Sequence, residues 1–557
     1  MLDVPSGSDD DIALARWRQR ANLMRELLRW PLTPLVVLRH AAGASLAFEA
    51  PIDQLLTATE VNEWAWLGAI SSPALFPSPL GPAEAPHDAA LAMPLFLKLA
   101  ASEAPAHFAD LHATALGRDV PLTFDDECVT LGGGDHAMSW PVGELPAPGR
   151  VPWRQVAAIP TALVAGSNGK TTTVRLVAAM CEAQGLLTGH SCTDGVRVGR
   201  EWLETGDWSG PAGARRVLRD DRVQAAVLET ARGGILRRGL AVTHARAAIV
   251  TNVQLDHLGE YGIATGAQIA DVKLVVAKGL ARDGTLVLNA DDALLVPRGT
   301  AREGRTAWFS LDEQSPVIQG ARAAGAPVAF LAANDVMLLV AGSATYVLGR
   351  GSALPISAGG QARYNIANAL GASLVAYAMG VPPVTIAAVL ARFGTNRDDN
   401  PGRLMRWTIG GARVLLDYAH NPDGLAGLFA VARAELAPGG RMFVLLGQAG
   451  NREDDAIRAL ARVVAAERPA GVVLKDLEGF LRGRAPGEVP AILADELLTH
   501  GMPAGAIETI LPELDAARAV VAKGRAGDVV VLPVHGHAAR EAAIAWLDAE
   551  ERRTAPR

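Results

Sequence analysis

Between a short apolar run at 161–165 and a helix-patterned stretch reaching Gln184 stands the segment Gly166-Ser167-Asn168-Gly169-Lys170-Thr171-Thr172. Its glycines let the backbone wrap closely, so that successive N–H groups can point at phosphate oxygens. The helix that follows adds the positive end of its dipole. In such a loop Lys170 reaches the terminal phosphates and the Thr171 hydroxyl ligates a magnesium ion. The general pattern G-x-x-x-x-G-K-[ST] places a glycine where this chain has Val164. A turn that happens to contain Gly-Lys-Thr is the competing reading, and the strand–loop–helix setting stands against it.

Other residues fall where they could share that chemistry. Glu229 closes the apolar run 225–228, at the carboxyl edge of a sheet, where open α/β sheets bind ligands. The alternative is an acid stabilised by a helix N-terminus. Asp256 and His257 follow the run 247–250; a lone histidine after a strand is commonly structural. Lys273 lies in a helical pattern, where a solvated lysine is the ordinary reading, as for its neighbour Lys278.

These residues need a scaffold. A chain of 557 residues suggests three domains, with expected boundaries at 1–155, 156–398 and 399–557. The first is read as a small α+β domain: helical periodicity at 12–28 and 91–99, a Pro-rich loop at 72–86, and short strands over 120–140 turning at Gly132-Gly133-Gly134. The second alternates apolar runs at 161–165, 225–228, 247–250 and 285–288 with helical stretches, which predicts a parallel-sheet, P-loop-type ATPase domain. The third repeats the alternation with runs at 414–416, 442–446, 472–474 and 529–532, a Rossmann-like α/β domain. Residues 396–402, rich in Asn, Asp and Pro, form the expected hinge. The fold class is therefore α/β.

A net charge of −7 argues against a polyanion-binding role, so no nucleic-acid partner is expected. No run of about 20 uninterrupted apolar residues exists, so no membrane span is expected. Three cysteines, Cys128, Cys181 and Cys192, make no close-spaced metal pattern and fit reduced thiols. An acidic N-terminus, with Asp9-Asp10-Asp11, is unlike a signal peptide. The expected location is the cytoplasm.

The loop Gly-Ser-Asn-Gly-Lys-Thr-Thr resembles that of the Mur ligase superfamily, and further segments match in order. Thr251-Asn252-Val253-Gln254-Leu255-Asp256-His257-Leu258 resembles the second family motif. Gly402-Arg403 with Asp417-Tyr418-Ala419-His420-Asn421-Pro422 resembles the C-terminal one. Ser191-Cys192-Thr193-Asp194-Gly195, the stretch from Leu228 to Arg237, and Leu481-Arg482-Gly483-Arg484 with Gly487-Glu488 are similar to the Mur-ligase-like half of the cyanophycin synthetases. The similarity runs over about 155–530. It departs in two places: the first 155 residues are too few for the ATP-grasp domain of those enzymes, and Val534-His535-Gly536-His537-Ala538 is unlike the family.

The resemblance implies an ATP-dependent amide-bond ligase that uses Mg2+ and takes a carboxylate and an amine as substrates. It implies Glu229, Thr171 and His257 at the metals, with Asn252 near His257 and Asp256 orienting it. Lys273 is implied as a carbamylated lysine that helps to hold magnesium. It also implies Asn365 beside the adenine, Arg403 at the phosphates and Asp417 at the ribose. Joining arginine to an aspartyl side chain is the implied reaction; another acid and amine, or a non-catalytic partner of a larger synthetase, are the alternatives. For a guanidinium substrate, Glu488 or Asp476 could supply a carboxylate, with Asp194 a further candidate contact. For an acidic acceptor, Arg232, Arg237 or Arg238 could serve, and a structural ion pair is the competing reading at each position.

Overall fold

The computed structural model describes all residues except 8, 41–42, 71–85, 256–261 and 555–557. Asp256, His257 and most of the Pro-rich loop expected at 72–86 therefore lie outside the described residues. The chain divides into two compact units, 1–158 with 257–265, and 159–256 with 266–557.

In the first unit, helix Asp11–Leu27 is capped by Asp10, whose side chain accepts from the Ala13 N–H at 2.6 Å. Its Leu14, Trp17, Ala21 and Met24 recur at helical spacing and are buried in one core. The core is shared with helices Leu55–Leu67 and Ala89–Glu103 and a three-stranded antiparallel sheet, Leu2–Pro5, Gly43–Ala47 and Val36–His40 in spatial order. Trp17 Nε1 donates to Asn62 Oδ1 at 2.8 Å, which satisfies two polar groups inside it. A second small core joins helix Phe108–Gly117 to the strands Leu122–Phe124, Cys128–Leu131 and Met138–Pro141.

The second unit holds two sheets. Strands Thr161–Ala165 and Ala225–Glu229 are buried at every position, as continuous apolar runs are when both faces of a parallel sheet are covered. They lie at the centre of an eleven-stranded sheet. From Thr188–Cys192 the parallel order runs through Ala225–Glu229, Thr161–Ala165, Ala245–Val250, Leu280–Asn289 and Arg305–Ser310 to Val328–Leu331. Antiparallel strands extend both edges, Gly195–Val198 and Glu201–Thr205 at one, Val336–Ala341 and Ala344–Arg350 at the other. Helices Lys170–Ala183 and Arg363–Ala378 pack with this sheet into one core.

The other sheet has six strands, in the order Met405–Ile409, Ala412–Asp417, Val529–Pro533, Met442–Leu446, Gly471–Leu474 and Ile507–Thr509. All neighbours are parallel except the first pair, a hairpin. Helices pack on both of its faces, those at Pro422–Glu435 and Asp454–Ala466 in one core and those at Glu513–Lys523 and His537–Thr554 in another. The α/β class and the doubly covered sheets are those expected from the sequence. Among the described residues no helix is long and apolar enough to cross a membrane.

Candidate active site

The site is built from the carboxyl ends of the central strands. Strand Thr161–Ala165 delivers the chain to Gly166, whose φ of +146° carries the turn and whose missing Cβ leaves room for the Thr251 hydroxyl. Gly169, at φ +83°, opens helix Lys170–Ala183, and a Cβ there would run into the Asn368 amide. Neighbouring strand ends hold the loop. Ser167 N–H donates to Asn252 O at 2.9 Å, Asn168 N–H donates to Asn252 Oδ1 at 2.9 Å, and the Thr251 hydroxyl donates to Asn168 O at 2.6 Å. Such bracing fixes a loop before any ligand arrives. Lys170 Nζ rests on Ser167 O at 3.0 Å.

Glu229 ends its strand facing the loop. The Thr171 hydroxyl donates to its Oε2 and the Thr193 hydroxyl to its Oε1, each at 2.8 Å. A carboxylate and a hydroxyl, both hard oxygen donors beside a glycine-opened loop, suit Mg2+, which takes one or two carboxylates and fills its other positions with water and phosphate. The glycine turns and the helix start suit a polyphosphate. The residues present therefore fit the nucleotide and metal that the loop implies.

The opposite wall comes from residues beyond 402. Arg403 Nη2 lies 3.3 Å from the Thr171 hydroxyl, its guanidinium 4.5 Å over the Tyr418 ring. Asp417 ends strand Ala412–Asp417, accepts from the Leu404 N–H at 2.7 Å, and is pushed above the usual carboxylate range by burial, with Arg403 opposing. The side-chain amides of Asn168 and Asn421 exchange two hydrogen bonds, at 3.2 and 2.8 Å, and Asn421 also caps helix Pro422–Glu435. Between the walls lies a cavity of about 380 Å3.

Ser167, Asn168, Gly169, Lys170, Thr171, Thr172, Glu229, Asn365, Arg403 and Asp417, singled out in the sequence, all line that cavity. Asn365 is buried there, donating to Ile356 O at 2.8 Å and accepting from Asn368 at 3.2 Å. Gly166 shapes the loop from behind. Lys273 is 4 % exposed, so the solvated reading fails for it and holds only for exposed Lys278; it is not among the residues lining the cavity. His257 and Asp256 lie outside the described residues.

Two candidate substrate contacts are held in ion pairs. Asp194 is paired with Arg175 at 2.6 Å and with Arg540. Glu488 pairs with Arg484 at 2.7 Å and accepts from the Ala485 N–H at 3.0 Å. Arg237 is exposed and donates one N–H, at Nε, to Gly233 O at 3.0 Å. Asp476 accepts from the Gly487 N–H at 2.8 Å through one oxygen, while the other is buried with no hydrogen-bond partner among the described residues.

Thr193, Tyr418, Asn421, Arg175 and Arg540 were given no role by sequence reasoning. For Arg175 a signal existed: it interrupts the apolar residues of a helix whose residues 170–178 are mostly buried. Arg540, in the last helix, carried none.

The Mur ligase middle-domain model matches residues 164–376 and the Mur ligase glutamate-ligase-domain model matches residues 402–533. Cyanophycin synthetase from Nostoc sp. is 36% identical over 387 residues, 69% of this chain and 42% of that enzyme. The chain thus spans less than half the length of that relative. UDP-N-acetylmuramoyl-L-alanyl-D-glutamate–2,6-diaminopimelate ligase from Chlorobaculum tepidum is 28% identical over 388 residues, 68% of this chain and 71% of that enzyme. Among solved structures, Mycobacterium tuberculosis folylpolyglutamate synthase complexed with ADP is similar with a TM-score of 0.49 and 18% identity, over 70% of this chain and 90% of that one.

Proposed function

From the premise that the chain belongs to the Mur ligase family, we propose that it is an ATP-dependent, ADP-forming ligase that activates a carboxylate as an acyl phosphate and joins it to an amine. The observation that carries this reading is a single cavity with the braced loop and the Thr171–Glu229 pair on one wall and Arg403 and Asp417 on the other.

The reaction needs a better leaving group than hydroxide. A carboxylate oxygen of the acid attacks the γ-phosphorus, the bond from that phosphorus to the bridging oxygen breaks, and ADP departs. The amine nitrogen then attacks the acyl carbon, the carbon–oxygen bond to phosphate breaks, and the nitrogen loses a proton. Phosphoryl transfer leaves the protein mainly positioning and charge neutralisation. Thr171 and Glu229 would hold Mg2+, which when bound neutralises phosphate charge. Lys170, released from Ser167 O, and Arg403 supply fixed positive charge from opposite walls. Asn365 and Asp417 would face the adenosine end. Because Arg403 and Asp417 follow the hinge, closure of the two lobes assembles the site.

Similarity to the cyanophycin synthetases supports an amino acid such as arginine as the amine and an aspartyl side chain as the acid. A different acid and amine pair is the second reading, favoured by the chain spanning only 42% of that relative. Three free cysteines, two of them buried, support a reducing, cytoplasmic setting. Lys273 is proposed as a carbamylated metal-side residue: it is buried, and its neutral amine would take up CO2 and lose a proton to give an anion. A carbamate signal in 13C NMR after equilibration with labelled bicarbonate, lost in Lys273→Arg, checks this.

The test of function is magnesium-dependent phosphate release with amino acids and aspartyl peptides supplied in combinations. Release only with an arginine and aspartate-containing pair supports the finer reading, and release with another pair supports the second. No release with any pair, from protein that binds ATP, points to a non-catalytic partner.

A further inference from the structure

Asp194 sits between strands Thr188–Cys192 and Gly195–Val198 and is 5% exposed. Three guanidinium groups converge on its one carboxylate. Arg175, from the phosphate-loop helix, donates to Oδ2 at 2.6 Å, Arg403 lies 3.5 Å from the same oxygen, and Arg540, from the last helix, donates to Oδ1. Burial opposes charge on Asp194, yet Arg403, Arg175 and Arg540 together hold its carboxyl down at about 2. Burial also lowers Arg540, with Asp194 opposing; an arginine remains a cation throughout.

Asp194 alone does not balance three buried cations; Asp417 and Glu229 also act on Arg403, so the cluster is one network of opposite charges. Arg403 joins this network to the cavity, since it also reaches the Thr171 hydroxyl on the phosphate loop. Arg540 and Arg403 both lie over the Tyr418 ring, at 5.2 and 4.5 Å. Gly402, at φ +73°, is the residue whose side chain would displace Arg540, with a Cβ falling 2.6 Å from its Cδ. Arg175 in turn donates to Asn400 Oδ1 at 3.2 Å and Pro401 O at 2.9 Å, so it grips the hinge itself.

We propose that Asp194 and Arg540 form a clasp across the two lobes of the second unit, holding them closed and aiming Arg403 at the phosphate loop. Both are positioning residues; neither touches the reacting atoms. The catalytic half of this proposal rests on the ligase reading, while the mechanical half does not.

The test uses the full chain with Cys128→Ser and spin labels at Val347→Cys and Leu498→Cys, exposed sites on the central and last lobes. With magnesium and a non-hydrolysable ATP analogue, the otherwise native protein gives one narrow distance distribution. Arg540→Met broadens it, Asp194→Asn does the same, and Arg540→Lys restores part of the narrow population. In turnover, Arg540→Met lowers kcat about tenfold to a hundredfold, the scale of a misplaced catalytic group, while KM for ATP moves far less. An unchanged distribution in folded Arg540→Met, or unchanged kcat, overturns the clasp. If the native protein turns over no substrate pair but Arg540→Met still broadens the distances, the clasp stands and the ligase reading falls. Should Arg540→Met not fold, Arg540→Lys and Asp194→Asn carry the same comparison.

Discussion

The two walls of the cavity are made in different ways. The phosphate-loop wall is local: Gly166 to Thr172 are contiguous, and the strand ends at Thr251–Asn252 and Glu229 brace them within one sheet. The facing wall, from Arg403, Asp417 and Tyr418, meets the loop across 232 residues of chain, and it is tied to the first by Asn421 on Asn168 and by Asp194 with an arginine 346 residues further along. A local wall can bind phosphate by itself; the facing wall acts on that phosphate only while the contacts between the walls hold it in place. Ground-state nucleotide binding should therefore depend mostly on the loop, and the rate of chemistry on both walls.

The largest expected effect is at the local wall. Lys170→Ala should reduce nucleotide-dependent product formation by about a thousandfold or more, because it removes fixed charge at the transferring phosphate. The melting temperature should stay close to that of the native chain. Retained turnover would contradict the assigned loop. Arg403→Met should cost about a hundredfold in kcat with a smaller change in nucleotide KM. Arg403→Lys should recover little, since an ammonium cannot stack on Tyr418 and reach Thr171 and Asp194 with one planar fork. Equal losses in KM and kcat would erase the distinction between the walls.

Smaller effects concern stability. Gly402→Ala puts a Cβ at φ +73° against Arg540 and should destabilise by about 1–3 kcal/mol in denaturant titration, with activity reduced in the folded fraction. Asn421→Ala removes a helix cap and the amide pair with Asn168, an expected loss of about 1–2 kcal/mol. Asp194 gives the most specific signal. Its carboxyl is lowered from 3.8 to about 2, so it contributes stability above its unfolded value that is lost as pH falls through the folded one. The native chain should lose this increment between those two values, and Asp194→Asn should lack that part of the pH dependence.

Legibility in the sequence follows the same division. Strands Thr161–Ala165 and Met442–Leu446 end where their apolar runs end, because parallel strands buried on both faces need unbroken apolar sequence. Thr188–Cys192 was not legible: Thr-Gly-His-Ser-Cys is polar in composition yet buried at all five positions. Nor were the antiparallel hairpins at both edges of that sheet, whose strands mix buried and part-exposed positions without a clean alternation. At the site, Lys170, Thr171 and Glu229 could be read because motif and strand end coincide. Lys273 and Lys278 look alike in sequence, and packing alone separates the buried one from the exposed one. Asp194 had the right type for a substrate contact, but its occupants arrive from distant helices. A single chain read in order cannot reveal them.

The most direct test of the account is a crystal structure with magnesium and a non-hydrolysable ATP analogue. The triphosphate should lie against the N–H groups of Gly169, Lys170 and Thr171, the metal beside Thr171 and Glu229, Arg403 on the phosphates, and the adenosine between Asn365 and Asp417. An analogue bound elsewhere, or phosphates at the loop with Arg403 and Asp417 contributing nothing, would contradict it.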